Sequence, residues 1–370
     1  MTESSLQFDP ARVKRVLLYR LGSLGDTVVA LPALHVIERA FPAAQRKLLT
    51  NVPVHAKAPA VSAILEGSGL VEGYIHYPMA TRSLGQLARV WWEIRRFGPE
   101  VLVYMMPPRG PGSLERDVRF FHLCGIRHIV GLPIGDLAAS RFDPASGLWE
   151  QEAARLLRCV QPLGDADLND RRWWDLRLTE AEQQKAREVL APLGNRPMVA
   201  CGPGTKIAAN DWGRENWRSL LERLSAALPD HALVLVGAPD DAALANHAAA
   251  GWRGPVLQLC GGLTPRESAA VLAQAVLFVG PDSGPKHLAA SQGVPCALVF
   301  GARGLPGVWY PPGTGHRVVY HRVDCAGCGL DVCVEQQKKC LTSTTVEEMF
   351  EAAMDVHSRS RGNTANGATA

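Results

Sequence analysis

The chain has 370 residues, 47% of them hydrophobic, which is enough for two domains with buried cores of their own. Thirty-nine Lys and Arg against 36 Asp and Glu leave a net charge of +3, too mild for a nucleic-acid binder, and no basic run argues otherwise. No apolar run reaches the roughly 18 residues of a membrane span, and the N-terminal MTESSLQFDP lacks the charged and apolar regions of a secretory signal, so a cytoplasmic location is expected.

In chain order, short apolar runs alternate with amphipathic helical segments, and they do so twice. In the first half strands are predicted at 16–20, 47–51, 73–76, 100–104 and 128–130, with helices at 27–40, 55–66, 83–97 and 114–123. Such alternation predicts parallel βαβ units. The polar stretch QPLGDADLNDRRWWD (161–175) breaks the rhythm and reads as a linker. The rhythm restarts with strands predicted in PMVACG (197–202), ALVLVG (232–237), PVLQLC (255–260), AVLFVG (275–280) and CALVFG (296–301). Most of these run straight into Gly, as a tight βα turn requires. Thr264, Pro265 and Glu267 spell a capping box at the head of an intervening helix. A last helix is predicted at about 345–357, and the tail SRSRGNTANGATA is expected to be disordered. The fold class is α/β, with two Rossmann-like domains facing each other across a cleft.

Four stretches carry candidate chemistry. YRLGSLGDTVVALPALH (19–35) places Gly22, Gly25 and Asp26 where a strand turns into a helix. A helix N-terminus exposes backbone N–H groups and the positive end of the dipole, and glycines let a ligand approach that backbone closely. The spacing is not the dinucleotide fingerprint. Asp26 has two readings, a helix cap or a general base toward an incoming hydroxyl. In FVGPDSGPKHLAASQGVPCALVFG (278–301), Pro285 suits a first helical turn capped by Asp282 or Ser283. The Ser283 and Gly284 amides then form an anion site with His287 within reach. Alone, His287 would be read as a core or capping residue; beside the D-S-G-P turn it reads as phosphate-binding.

CGPGTKIAANDWGRENWRSL (201–220) sets Thr205 and Lys206 just past a strand end, where open α/β sheets bind ligands. A lysine there neutralises a diphosphate as a point charge. The alternative is a solvated loop lysine, with Trp212 and Trp217 packing a helix onto the sheet. Nine cysteines do not look like a disulfide framework. Cys325, Cys328, Cys333 and Cys340, however, cluster in CAGCGLDVCVEQQKKC and suit structural zinc or iron by residue type. Their spacing departs from paired CxxC knuckles, and free thiols are the alternative.

RLGSLGDTVVALPAL (20–34) and PDSGPKHLAA (281–290) resemble the two signature motifs of the bacterial ADP-heptose:lipopolysaccharide heptosyltransferases, glycosyltransferase family 9. The PGTK…WGRENW loop and the cysteine-bearing segment fit as well, and the match runs in order from about 14 to 355. The resemblance implies a GT-B fold with the last helix crossing back to the first domain. Residues 1–170 would be the acceptor-side domain, 171–343 the nucleotide-sugar-binding domain, 344–358 the crossover helix and 359–370 the tail. It also implies inverting transfer of heptose from ADP-heptose to a lipid-linked lipopolysaccharide-core acceptor, with no metal ion required. By position Asp26 matches the catalytic base, and Asp282, Ser283, Gly284 and His287 match residues lining the donor. Gly22, Gly25, Thr205 and Lys206 complete the donor-binding set. Two positions depart from the family: Asn210 stands where members carry a lysine, with Lys206 as the candidate substitute, and Lys286 stands where an apolar residue is common.

RVWWEIRRFG (89–98) joins Trp91 and Trp92 to three arginines; it reads as a packed helix with a solvated basic face, or as a face resting peripherally on an anionic inner membrane. Arg109, Arg116 and Arg119 are candidates to meet an acidic sugar such as Kdo. Three rival functions stay open. One is a protein heptosyltransferase of the autotransporter type with cysteine-bound iron. Another is a non-catalytic nucleotide-sugar-binding protein, and the last, disfavoured by the missing fingerprint, is an NAD-dependent dehydrogenase.

Overall fold

The computed structural model describes residues 6–51, 60–78 and 83–367, with side chains as far as 359. They fall into two compact units, Met1–Pro144 with Glu150–Arg177, and Ala145–Trp149 with Leu178–Ala370. The boundary therefore lies near 177 rather than 170, and a short piece of the first half, 145–149, belongs to the second unit.

The first unit runs β1 (Arg15–Tyr19), α1 (Leu24–Val28), α2 (Leu31–Ala40), β2 (Gln45–Asn51), α3 (Ser62–Leu65), β3 (Gly73–Tyr77), α4 (Leu84–Phe97), β4 (Val101–Tyr104), α5 (Pro111–Leu123), β5 (His128–Val130) and α6 (Glu152–Val160). Two two-residue strands, β6 (Phe142–Asp143) and β7 (Leu148–Trp149), precede α6. The sheet is parallel throughout, in the order β3-β2-β1-β4-β5. Central strands read as unbroken apolar runs because helices cover both faces; Val16, Leu17 and Leu18 are fully buried. The helix predicted at 27–40 is two helices. Pro32 stands in the first turn of α2, where its missing N–H costs nothing, so the chain restarts there instead of continuing α1. Of the helix predicted at 55–66, α3 is present, and residues 55–59 lie outside the described residues. The stretch expected to be a linker is packed: Trp174 is buried and donates through Nε1 to the Leu168 carbonyl at 2.9 Å. The Asp175 carbonyl lies 2.9 Å from His35 Nε2.

The second unit runs α7 (Glu180–Leu190), β8 (Met198–Cys201), α8 (Arg214–Ala227), β9 (Ala232–Leu235), α9 (Ala242–Ala249), β10 (Val256–Gln258), α10 (Pro265–Leu272), β11 (Leu277–Pro281), α11 (Gly284–Ser291), β12 (Cys296–Phe300), β13 (Arg317–Tyr320), α12 (Lys339–Thr342) and α13 (Val346–Gly367). Its parallel sheet has the order β10-β9-β8-β11-β12-β13. The capping box of α10 is present, with Thr264 N donating to Glu267 Oε2 at 2.8 Å and Glu267 N to Thr264 Oγ1 at 3.2 Å. The unpredicted β13 is an edge strand of exposed or half-buried residues, which lacks the apolar signal of the interior strands. Helix α13 buries Met349, Ala353 and Val356 and packs against α8, β11, β12 and β13. It continues to Gly367, taking in most of the polar tail. No helix among the described residues is long and apolar enough to cross a membrane.

Candidate active site

Both sheets reverse their winding direction at their middle, between β1 and β4 in the first unit and between β8 and β11 in the second. Open α/β sheets bind ligands beyond the carboxyl ends of the strands at this switch point. The two signature turns leave the sheets there, one after β1 and one after β11.

In the first unit, Asp26 is the third residue of α1 and folds back onto the turn. Its Oδ2 accepts from Ser23 N at 2.7 Å and from Ser23 Oγ at 3.0 Å. The capping role of Asp26 is thus realised, by one oxygen only. Its Oδ1 lies 3.8 Å from Arg20 Nη2 and has no closer partner among the described residues. Gly22 explains how the carboxylate reaches this position. Its φ is +154°, and a Cβ there would stand 2.5 Å from Asp26 Cγ and 2.8 Å from Oδ2. The space expected to clear a ligand is therefore taken by Asp26 itself. The Gly22 amide is also engaged, donating to Asn51 Oδ1 at 2.7 Å. Gly25 lies in the first turn of α1.

Behind Asp26 sits a buried charge network that the residue patterns did not reveal. Arg20, 5% exposed, donates through Nε to the Asp26 carbonyl at 3.1 Å and through Nη1 to the Met105 carbonyl and Glu152 Oε1, both at 2.9 Å. Glu152 also accepts from Arg155 Nε at 2.7 Å and Nη2 at 2.8 Å. Burial raises the Glu152 carboxyl, but the Arg155 hydrogen bonds and the Arg20 charge outweigh it and hold the group below the usual range. The signal available in sequence was a pair of charged residues, Glu152 and Arg155, on the apolar face of EAARLLRCV.

The three arginines expected to meet an acidic sugar are each held by an acidic neighbour. Arg109 Nη2 donates to Asp117 Oδ2 at 2.5 Å and to the Tyr19 hydroxyl at 3.2 Å. Arg116 reaches Asp117 Oδ1 at 3.2 Å, and Arg119 reaches Glu115 at 2.5 Å. The Tyr104 hydroxyl donates to Asp117 at 3.0 Å. Burial, against the Arg109 hydrogen bond and with the Asp117 charge, pushes the Tyr104 phenol up to about 12.

In the second unit, Ser283 is the residue preceding α11, and Pro285 stands in its first turn. The first-turn amides of an eight-residue helix have no partner within that helix, so Ser283 and Gly284 sit where an anion is favoured. Ser283 Oγ and Asn210 Oδ1 are buried without a hydrogen-bond partner among the described residues. Asn210 Nδ2 donates to the Asp282 carbonyl at 3.2 Å, so this residue ties the loop after β8 to the turn after β11. Asp282 Oδ1 is 3.0 Å from Lys286 Nζ, which also donates to the Trp309 carbonyl. His287 is 8% exposed, and burial, reinforced by the Lys286 charge, drives its imidazole well below the ordinary histidine value. It is neutral at pH 7 and offers a polar N–H rather than a positive charge.

Thr205 turns its hydroxyl back to accept from Ile207 N at 3.2 Å, and Lys206 is exposed on the same loop. Gly204 is required by packing, since a Cβ would lie 2.5 Å from Asp241 Oδ2, which caps Ala238 N at 2.8 Å. Trp212 and Trp217 pack edge to face at 4.8 Å, the packing role weighed for them. Cys325, Cys328, Cys333 and Cys340 are free thiols. Among the described residues no group of three or more His, Cys, Asp or Glu side chains is arranged to hold a metal ion. Backbone hydrogen bonds hold their segment in place: Gly327 N to the Ala302 carbonyl at 2.7 Å, Gly329 N to Arg303 at 2.9 Å, and Ala209 N to the Asp331 carbonyl at 2.9 Å.

Two Rossmann-like units in one chain, each with a candidate turn at the switch point of its parallel sheet, give the chain the GT-B class of fold. The chain belongs to glycosyltransferase family 9 (heptosyltransferase), whose model matches residues 151–338. Lipopolysaccharide heptosyltransferase 3 of Escherichia coli (strain K12) is 29% identical over 152 residues, which cover 40% of this chain and 43% of that protein. The chain thus matches less than half the length of this relative. The glycosyl transferase family 9 structure from Veillonella parvula DSM 2008 has a TM-score of 0.68 at 18% identity, covering 95% of this chain and 99% of that one. The E. coli heptosyltransferase WaaC with ADP-2-deoxy-2-fluoro heptose has a TM-score of 0.62 at 18% identity, covering 92% and 99%. These structural likenesses establish the fold.

Two outcomes follow from the geometry. Gly22→Ala is expected to lower the unfolding free energy by about 1–3 kcal/mol, because the Cβ collides with Asp26 at a positive φ. Urea titration checks this, and an unchanged midpoint contradicts it. His287, His316 and His35 are all lowered in the folded protein, His316 to about 4, with burial as the largest cause in each. Between the folded values and about 6.5 the unfolded chain binds protons that the folded one refuses, so stability is complete above that pH and falls below it. Unfolding free energy is expected to drop between pH 7 and 5, less steeply in His287→Gln. A flat profile over that window contradicts it.

Proposed function

We propose that the protein is an inverting glycosyltransferase that moves a heptose from ADP-heptose to a lipid-linked glycan of the lipopolysaccharide-core type. The observation that carries this reading is the divided carboxylate of Asp26. One oxygen is spent on the cap, and the other is left at the switch point of a family 9 fold. In the reaction, Oδ1 accepts the proton of the acceptor hydroxyl while that oxygen attacks the anomeric carbon. The C–O bond to ADP breaks as the new glycosidic bond forms, in a single displacement that inverts the configuration. Charge then gathers on the departing diphosphate. The α11 first-turn amides, the neutral His287 and the exposed Lys206 stabilise it without a proton transfer of their own. The heptosyltransferase crystallised with an ADP-heptose analogue supports the choice of donor, and the lipopolysaccharide heptosyltransferase 3 relative supports the choice of acceptor.

Asp26→Asn keeps an oxygen for the Ser23 cap and removes the base. Its turnover, followed as ADP release from ADP-heptose with acceptor present, is expected to fall by about 10²–10⁴-fold with the fold intact. Near wild-type turnover would remove Asp26 from the chemistry, and acceptor-independent ADP release in the wild-type protein would favour a nucleotide-sugar binder over a transferase.

The acceptor reading includes a peripheral contact with the cytoplasmic face of the inner membrane. Helix α4 buries Val90, Ile94 and Phe97, and exposes Trp91 and Trp92 with Arg95 and Arg96 lying 5.9 and 5.3 Å from their rings. Aromatic rings flanked by guanidinium groups suit the headgroup region of an anionic bilayer. Co-sedimentation with phosphatidylglycerol vesicles is expected, weakened by about 1 kcal/mol for each of Arg95→Ala and Arg96→Ala and lost at high salt. Equal pelleting with neutral phosphatidylcholine vesicles would refute the contact.

A further inference from the structure

Lys286 occupies a position that works against a lysine twice over. It is the third residue of α11, in the first turn, where the helix dipole disfavours a cation. It is also completely buried, where an ammonium loses its hydration. Its Nζ lies 4.4 Å from the centre of the Phe300 ring, and its polar contacts are Asp282 Oδ1 at 3.0 Å and the Trp309 carbonyl. The adjacent His287 is uncharged, and Cys296 is a buried thiol that burial keeps protonated. Among the described residues, Asp282 is the carboxylate that balances this ammonium. Asp282 is itself 23% exposed in its side chain and stands two residues before the first turn of α11.

We propose that Lys286 is a positioning residue of the donor turn, holding Asp282 as its counter-ion so that a diphosphate meets the α11 amides without an uncompensated carboxylate beside them. The inference rests on the reading of this turn as the nucleotide-diphosphate site. Lys286 does not touch the ligand, because its ammonium is sealed beneath the turn. It acts through Asp282, whose charge it cancels, and through the Trp309 carbonyl, which fastens the loop between β12 and β13 to α11. With an apolar residue at 286 the Asp282 carboxylate would keep its full charge and its freedom to bind a ligand hydroxyl. With lysine there, Asp282 is committed to the protein, and recognition of the anion passes to backbone dipoles.

The test is ADP binding by calorimetry to the full chain and to Lys286→Met, Asp282→Asn and the double variant, with circular dichroism to confirm folding. Lys286→Met is expected to weaken ADP binding by about tenfold or more, because a like charge then faces the diphosphate at short range. Adding Asp282→Asn to it is expected to restore affinity to within about threefold of wild type, which a purely structural lysine would not allow. If Lys286→Met does not fold, Asp282→Asn alone decides. It leaves the lysine charge uncompensated, so affinity holds or rises and becomes more salt-dependent, whereas a fall of about tenfold would make Asp282 a direct ligand group and overturn the proposal. Unchanged affinity in Lys286→Met, or no recovery in the double variant, overturns it too. Failure of the wild-type protein to bind ADP would instead bring down the donor reading, and this inference with it.

Discussion

The buried guanidinium of Arg20 is the interaction on which the candidate turn of the first unit depends. A guanidinium does not shed its proton when it is desolvated, so a buried arginine must recruit partners or stay out of the core. Arg20 recruits the Asp26 and Met105 carbonyls and the Glu152 carboxylate. Glu152 in turn needs Arg155. One unavoidable charge thus ties together the end of β1, the backbone of α1, the chain leaving β4 and the first turn of α6. The turn at Gly22 can be tight because its rear wall is set by this network, and the position of Asp26 is decided from behind before any ligand arrives.

The turn in the second unit meets the opposite problem. An anion site built on helix amides works best where nearby full charges cancel, since partial charges on backbone N–H groups are weak beside a bare carboxylate. Around α11 the cancellation is nearly complete: Lys286 faces Asp282, His287 is neutral, and Asn210 contributes an amide. One unit sharpens a charge by surrounding it with fixed partners, and the other removes charge so that dipoles prevail. In the proposed reaction the first environment would serve proton abstraction and the second the departing diphosphate.

The strands were legible because a parallel sheet covered on both faces leaves continuous apolar runs, as in Val16–Leu18 and Leu233–Leu235. Edge strand β13 was not, since its residues are exposed or half-buried. Helix α6 escaped because Glu152 and Arg155 lie on its buried face and spoil the apolar stripe; charges that satisfy each other inside a fold look like solvated charges in a sequence. The linker expected at 161–175 hid a packed segment for a related reason, its polar composition masking the burial of Trp174. Both candidate turns were legible, including the two competing roles of Asp26. What the sequence did not disclose was that the cap occupies one oxygen of this carboxylate and leaves the other 3.8 Å from Arg20. Gly22 was recognised as a position needing an absent Cβ, but the neighbour that needs the room is a side chain four residues away, and only a folded backbone shows that. Lys286 was visible as a departure from the family pattern; its partner was not.

The cysteine-bearing segment after β13 is fastened by main-chain hydrogen bonds, from Gly327 and Gly329 to the loop after β12 and from Ala209 to the Asp331 carbonyl. Bonds of this kind are blind to side-chain identity but strict about chain length. Two of the thiols add to this fastening, since Cys333 Sγ accepts from Lys338 N at 3.4 Å and Cys340 packs half-buried against the core of the second unit. An insertion or deletion between 327 and 331 would slide Asp331 out of register and pull on Ala209, whose neighbour Asn210 holds the turn after β11. The length of this segment is therefore as much a part of the fold as the elements on either side of it.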